Sequence, residues 1–228
     1  MPNSDVFATF ELRAQRLSPP RMASYLHAAQ NDRKRALQLY EWNVAASGAV
    51  YEALAIVEVV VRNAIHDELT AWHEREQRPG TWLDDPANLL EKRAKDDIAK
   101  AVERAQVWRR VKGIRRPTKP KPPVGAVVAE LSFGFWRYLL AARYEHTLWL
   151  ESIRHGFPHV HGRRTAVDEP MRRLHQLRNR IAHLEPIINR ELHRDAADIH
   201  AVVHAVCPKT AEWAASLRRV DAVLAAKP

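Results

Sequence analysis

Residues 44–61, VAASGAVYEALAIVEVVV, are the most apolar stretch of the chain and lie within a longer helical pattern. The helix predicted over about residues 49–72 is apolar on nearly every side, so it is predicted to be the buried centre of a helical bundle. Two glutamates, a serine and a glycine interrupt the stretch. Such residues favour a buried helix over a membrane span.

Further helices are predicted on both sides of this segment from capping residues, prolines and apolar periodicity. Their predicted bounds are about residues 19–29, 33–43, 87–108, 124–144, 168–184, 189–206 and 210–225. Glycine is scarce at 7 residues, and hydrophobic residues make up 46% of the chain, which is typical of helix-rich globular proteins. The sequence therefore predicts an all-α fold, formed by a single domain over residues 1–228.

A cationic, proline-rich segment at residues 109–123 separates two groups of predicted helices. It holds seven basic residues, four prolines and no acidic residue, which predicts an extended, flexible loop and excludes a helix. Arg115, Arg116, Lys119 and Lys121 are predicted to contact RNA phosphates without regard to base sequence. The same composition is also typical of a disordered linker.

Charge and cysteine content narrow the class of protein further. The formal net charge of +9 favours phosphate polymers or acidic surfaces as partners. Cys207 is the only cysteine, which excludes an intrachain disulfide and a thiolate metal cluster built from one chain. The first ten residues lack the order of a secretory signal, so a cytoplasmic protein without a membrane anchor is predicted.

The segment Arg178-Asn179-Arg180-Ile181-Ala182-His183 carries groups that can handle a phosphate. On an ideal helix, the apolar positions 174, 177, 181 and 184 fall within an arc of about 80° and are predicted to face the core. Asn179 and His183 lie roughly opposite that stripe, and Arg178 lies on its flank. Three phosphate-handling side chains are therefore predicted to project from one helix.

These residue types suit RNA cleavage without a metal, in which a 2′-hydroxyl attacks the adjacent phosphorus. His183 can serve as base or acid because the unperturbed pKa of histidine is about 6.5. Arg178 can bind two phosphate oxygens, and Asn179 can orient the phosphate or the imidazole. One histidine cannot be base and acid in the same step, so a two-fold dimer that pairs two His183 side chains is one solution. Equally, such residues are ordinary near a helix C-terminus, where the dipole favours a cation.

A second polar set lies on the predicted central helix. Glu58, Arg62 and His66 follow an i, i+4, i+8 spacing, and Asn63 lies beside them. One interpretation is a buried Glu58–Arg62 pair that stiffens the bundle. The other is that Glu58, Arg62 and Asn63 support the catalytic groups or contact RNA.

Three histidines at 155, 159 and 161 lie in a segment rich in Gly and Arg. No carboxylate or cysteine follows until Asp168, so a solvated loop is favoured over a metal site. No metal and no cofactor are predicted.

The string from Leu177 to Ile187, LRNRIAHLEPI, resembles the RNxxxH motif of HEPN ribonucleases in its Abi-like (abortive infection) version. The resemblance extends over most of the chain, through residues 17–25, 39–43, 57–65, 131–136 and 213. It implies a HEPN-type helical bundle with additional helices, homodimerisation through the motif surface, and metal-independent cleavage of RNA. Arg178, Asn179 and His183 are the positions that would inherit the catalytic roles. The basic segment 109–123 is not part of the resemblance.

Three functions follow from these patterns. The first is an endoribonuclease of antiphage abortive infection or of a toxin. The second is a non-catalytic RNA-binding or adaptor module with the same fold. The third is a toxin kept silent by an antitoxin protein or a structured antitoxin RNA.

Overall fold

Helices account for most of the chain in the computed structural model, which describes residues 2–111, 114–117, 121–160 and 163–228, without the side chains of residues 2–9, 109–111 and 114–117. The α-helices of the described residues are α1 (Pro2–Leu17), α2 (Pro19–Ala28), α3 (Arg33–Arg75), α4 (Lys92–Ala105), α5 (Val124–Glu130), α6 (Phe133–Leu139), α7 (Thr165–Ala182), α8 (Leu192–Val206), α9 (Pro208–Leu217) and α10 (Val220–Ala225). Short 3-10 turns lie at Trp82–Asp84, Ala142–Tyr144 and Ile153–Gly156, and a π-helical turn at Glu145–Trp149. The prediction of an all-α fold is thus confirmed at the level of class, apart from one short hairpin.

Helix α3 is one continuous helix of 43 residues, where the sequence predicts two helices at 33–43 and 49–72. That prediction of a break is wrong because Gly48 stays helical, although glycine in a helix interior costs about 1 kcal/mol relative to alanine. A Cβ at Gly48 would lie 3.7 Å from the Arg219 guanidinium, an ordinary van der Waals contact, so Arg219 packs beside the helix at this position. Arg219 then donates two hydrogen bonds to Glu52, at 2.8 and 2.9 Å.

The central position predicted for this helix is confirmed by its packing. Helices α1, α2, α6, α7, α8 and α10 all pack against α3. Val57, Val61 and Ile65 have no exposed surface. By length and composition α3 is also a candidate membrane span, and 39% of its most apolar window is buried inside the protein.

Helices α7 and α8 pack side by side and are joined by one half-buried ion pair and by Arg190, which binds both helices. Arg173 of α7 donates to both carboxylate oxygens of Asp198 on α8, at 2.6 and 2.8 Å. Arg190, which precedes α8, donates to Asp195 at 2.7 and 2.9 Å and to the Arg173 carbonyl at 2.9 Å. These bonds fix the orientation of α7, the helix that carries residues 178–183.

Two helices that the sequence predicts as continuous are broken in the structure. The predicted helix 124–144 is interrupted after Glu130, because Leu131 and Ser132 are extended and the Ser132 hydroxyl accepts from the Phe135 amide to start α6. The predicted helix 210–225 divides into α9 and α10 at the extended Arg218. Helix α1 was not predicted from the sequence.

The cationic segment contains an antiparallel hairpin of strands β1 (Trp108–Val111) and β2 (Ile114–Pro117). Arg109 pairs with Arg116, and Arg110 with Arg115. The prediction that this segment is not helical is confirmed for the described residues. The prediction of a loop throughout is wrong, because residues 108–111 and 114–117 satisfy their backbone groups by pairing with each other.

Candidate functional site

Helix α7 ends within the segment 178–183, and the way it ends decides which side chains are exposed. The Glu185 amide donates to the Arg180 carbonyl at 2.8 Å, and the Leu184 amide donates to the Ile181 carbonyl at 2.9 Å. Leu184 has a φ of 57°, the left-handed conformation that closes a helix of this kind. His183 caps the helix and is exposed. The predicted core position of Leu184 is therefore wrong, since this side chain lies beyond the helix and is 68% exposed.

Asn179 is half-buried and lies against His175, one turn earlier on α7. Its Nδ2 is 3.2 Å from the His175 Nε2. The Phe133 ring stacks on the His175 imidazole, with 6.0 Å between ring centroids. A Cβ at Gly134 would lie 2.9 Å from His175 Nε2, so the lack of a side chain there allows the close approach of α6 and α7.

His175 is a candidate functional residue that sequence reasoning missed. A signal for it existed, since residues 175, 179 and 183 are spaced four apart and lie on one side of a helix. Burial lowers the pKa of His175, and the nearby cations Arg137, Arg178 and Arg93 lower it further. The imidazole is therefore neutral at pH 7 and can donate through one nitrogen and accept through the other.

Arg178 is half-buried, between the core stripe and the polar side of α7. Its Nε is buried and has no hydrogen-bond partner among the residues that the structure describes. Arg180, by contrast, is exposed, lies 3.6 Å from Glu185 and donates to the Pro186 carbonyl at 2.9 Å. Of the two arginines in the motif, Arg178 is thus the better placed to donate a further hydrogen bond to a ligand.

An open groove of about 510 Å³ lies beside the C-terminal end of α7. Its lining includes the cations Arg16 and Arg21, the tyrosines Tyr25, Tyr40 and Tyr51, and the apolar residues Val44, Ile181 and Leu184. Arg21 donates to the Leu184 carbonyl at 2.5 Å, which ties the groove to the end of α7. Burial raises the pKa of Tyr25 to about 12, so this phenol stays neutral. Cations and aromatic rings together suit a single-stranded nucleic acid.

The second predicted set forms no hydrogen bond or ion pair with residues 178–183 in the part of the chain that the structure describes. Glu58 and Arg62 are half-buried and Asn63 is exposed. No ion pair joins Glu58 to Arg62, and no hydrogen bond joins either of them, or Asn63, to α7 within the described structure. The buried pair considered from the sequence is therefore not formed. His66 has a local structural role, since its Nδ1 accepts from the Trp82 indole at 3.0 Å and burial lowers its pKa.

The four predicted RNA-contacting cations divide into three cases. Arg115 and Arg116 lie on β2, and Lys119 lies outside the described residues. Lys121 is bonded to the carboxylate of Asp84 at 2.7 Å, although its side chain is 78% exposed. This hydrogen bond lowers the pKa of Asp84.

The loop histidines also divide. His159 packs near His204, with 6.1 Å between ring centroids, and His204 lies near His200 at 5.9 Å. His155 lies 3.4 Å from the Arg154 Nε, and His161 lies outside the described residues. Within the described ranges, no three His, Cys, Asp or Glu side chains are placed to hold a metal ion.

Comparison with known proteins identifies no relative of this chain. No family model, no curated protein and no solved structure matches the chain. The arrangement itself offers an imidazole exposed at the end of a helix, an amide held against a neutral imidazole, and a guanidinium with an unpartnered nitrogen. Such groups can bind a phosphate and move a proton.

Proposed function

We propose that this chain is a metal-independent endoribonuclease of the HEPN, Abi-like type, with Arg178, Asn179 and His183 as its catalytic residues. The observation that supports this best is the end of α7, where a half-buried guanidinium, an amide and an exposed imidazole lie within two turns. The groove lined by arginines and tyrosines starts at the same helix end.

The proposed reaction needs no group from outside the protein and the RNA. His183 takes the proton of a 2′-hydroxyl, and the freed oxygen bonds to the adjacent phosphorus. The bond from phosphorus to the 5′-oxygen breaks, and that oxygen takes up a proton. Arg178 binds the non-bridging oxygens as their charge grows, and Asn179 orients the phosphate. The products are a 2′,3′-cyclic phosphate and a 5′-hydroxyl.

A homodimer would supply the second imidazole that the reaction needs. His175 and His183 are eight residues apart, about 12 Å along the helix axis, which is too far to serve one phosphate together. Three apolar residues lining the groove are largely exposed, namely Val44 at 55%, Tyr51 at 50% and Leu184 at 68%. Exposed apolar side chains next to His183 favour a second copy at this surface.

The cellular setting is proposed from the resemblance alone. It comprises cytoplasmic action on RNA in antiphage abortive infection or as a toxin, with an antitoxin protein or RNA as a further partner. The hairpin cations Arg115 and Arg116 and the neighbouring lysines are proposed to add sequence-independent affinity for RNA.

A non-catalytic RNA-binding or adaptor module is the second candidate. It is favoured by the neutral His175 with three arginines near it, since these groups can hold a phosphate without any proton transfer.

Incubation of the purified protein with end-labelled RNA in excess chelator tests the proposal. Cleavage should persist, leave 2′,3′-cyclic phosphate ends, and be abolished by His183→Ala. His193→Ala is the matched control, since His193 is also exposed but lies on α8. Dependence on a metal, or 5′-phosphate products, would exclude the mechanism. RNA binding without cleavage would favour the non-catalytic module.

A further inference from the structure

Three arginines from three helices lie near one imidazole. Arg93 on α4, Arg137 on α6 and Arg178 on α7 all act electrostatically on His175. Arg137 is one turn after Phe133 and Gly134, which contact His175. The arginines are separated widely in sequence, so packing of α4, α6 and α7 brings them together.

The arginines of this cluster have little negative charge to balance them. Arg137 Nη2 lies 3.7 Å from Asp168 Oδ1, too far for a hydrogen bond, and the other oxygen of that carboxylate binds Arg164 at 2.8 Å. Among the described residues, Arg93 and Arg178 form no ion pair. Like charges brought together without a counter-charge repel each other, which favours binding of an anion.

The other nearby carboxylate is already occupied. Arg93 lies over the Tyr138 ring, 4.8 Å from its centroid. The Tyr138 hydroxyl donates to Glu91 at 2.7 Å, and Arg143 also binds Glu91. Glu91 is thus held by a different arginine, Arg143.

Two guanidinium nitrogens of the cluster lack partners. The Nε atoms of Arg137 and Arg178 are buried and have no hydrogen-bond acceptor within the described part of the chain. A buried donor without a partner costs about 1–3 kcal/mol. A ligand with several strong acceptor oxygens would satisfy such donors, and a guanidinium matches a phosphate in shape and charge.

Solvent can reach the cluster. Arg93 is exposed, and Arg137, Gly134 and His175 are partly exposed. The Asn179 amide and the neutral His175 add uncharged donors, which fits a phosphodiester, whose oxygens accept hydrogen bonds.

We propose that Arg93, Arg137 and Arg178, with His175 and Asn179, bind one backbone phosphate of single-stranded RNA, next to the phosphate that is cleaved. The identity of the ligand as RNA rests on the proposed function. The site is distinct from the cleavage position because His175 and His183 are separated by about 12 Å along α7. Arg178 and Asn179 lie between the two positions and are shared by them.

The test measures binding of a short, labelled, single-stranded 2′-O-methyl RNA, which lacks the attacking hydroxyl and cannot be cleaved. Arg93→Gln and Arg137→Gln are compared with Arg194→Gln, which removes the same charge from an exposed position on α8. Each cluster variant should bind roughly tenfold more weakly, as expected for removal of a charged hydrogen bond. The slope of log affinity against log salt should also become shallower, by about 0.7 for each phosphate that the protein no longer neutralises.

The outcomes separate this site from the proposed activity. If Arg93→Gln and Arg137→Gln keep the affinity and salt slope of Arg194→Gln, the phosphate site is wrong, whether or not the protein cleaves RNA. If they lose affinity and slope while the wild type does not cleave RNA, the site stands and the nuclease proposal fails. Arg93→Gln should not unfold the protein because Arg93 is exposed, and it remains decisive if Arg137→Gln does.

A second measurement uses inorganic phosphate as the probe. Phosphate should shift the imidazole NMR signals of His175 in the wild type, and the shift at the same phosphate concentration should be smaller in Arg93→Gln. A shift of equal size in both proteins would overturn the assignment of Arg93 to the site.

Discussion

The amide nitrogen of Asn179 lies 3.2 Å from the Nε2 of His175, so the second residue of the motif is hydrogen-bonded to an imidazole that the motif does not include. The glycine opposite, Gly134, makes room for this ring. The position of Asn179 therefore depends on the packing of α6 against α7 as well as on α7 itself.

Gly134→Ala should displace the His175 ring, because the new Cβ would lie 2.9 Å from Nε2. Separation of this ring from Asn179 should appear as a change in the His175 imidazole signals by NMR. Gly125→Ala is the matched control, since a Cβ there meets no described atom within 4 Å. Unchanged His175 signals in Gly134→Ala would contradict the packing.

His175 should make the protein less stable in mild acid. Its pKa in the folded protein is lowered from about 6.5, so the unfolded chain takes up a proton that the folded chain resists. The free energy of unfolding should therefore fall as pH drops below about 6.5, and level off below the folded pKa. His66 acts in the same direction. Denaturation from about pH 7.5 to about pH 5, a range that brackets the ordinary histidine pKa, measures this, and His175→Gln should lessen the dependence. If the free energy of unfolding of His175→Gln depended on pH as strongly as that of the wild type, groups other than His175 would cause the effect.

Arg178→Ala should reduce RNA cleavage by a factor on the order of 100 to 1,000, because the transition state loses a charged donor. Arg178→Lys should restore only part of the activity, since an ammonium keeps the charge but not the planar fork. Rates are compared with Arg180→Ala, a change in an exposed ion pair of the same helix. Full activity of Arg178→Ala would remove this residue from the mechanism.

Asp198→Ala should destabilise the protein by about 2–3 kcal/mol, because half-buried Arg173 loses two charge-assisted hydrogen bonds. Glu169→Ala removes a second, exposed carboxylate, 3.9 Å from the same guanidinium, and should change the stability by less than about 0.5 kcal/mol. Urea denaturation measures both variants. If both variants lost the same amount of stability, burial would not be the reason that the Arg173–Asp198 pair stabilises the protein.

Leu184→Gly should raise stability and weaken the dimer. The left-handed conformation at φ 57° costs a leucine about 1 kcal/mol that glycine does not bear. Removal of an exposed apolar side chain beside the groove should shift sedimentation toward the monomer. Leu217→Ala, at an exposed position on α9, should leave the association unchanged. A wild-type monomer that still cleaves RNA would disprove the dimer proposal.

The helical class, the central helix and the residue types at positions 178–183 follow from the order of the amino acids alone, because apolar periodicity and residue type are local properties. The continuity of α3 through Gly48 does not follow from it, since the helices that pack along α3 come from distant parts of the chain. The position of Leu184 was predicted wrongly, because the turn that ends α7 depends on how the following segment packs.

The convergence of Arg93, Arg137 and Arg178 near His175 arises from tertiary packing. Residues on three separate helices have no common periodicity, so no spacing along the chain indicates that they meet. Packing of α6 against α7 and of α4 against α6 decides it, and the packing of α6 on α7 also half-buries His175. The sequence identifies the groups at one helix end, and the neighbouring helices decide which charges surround them.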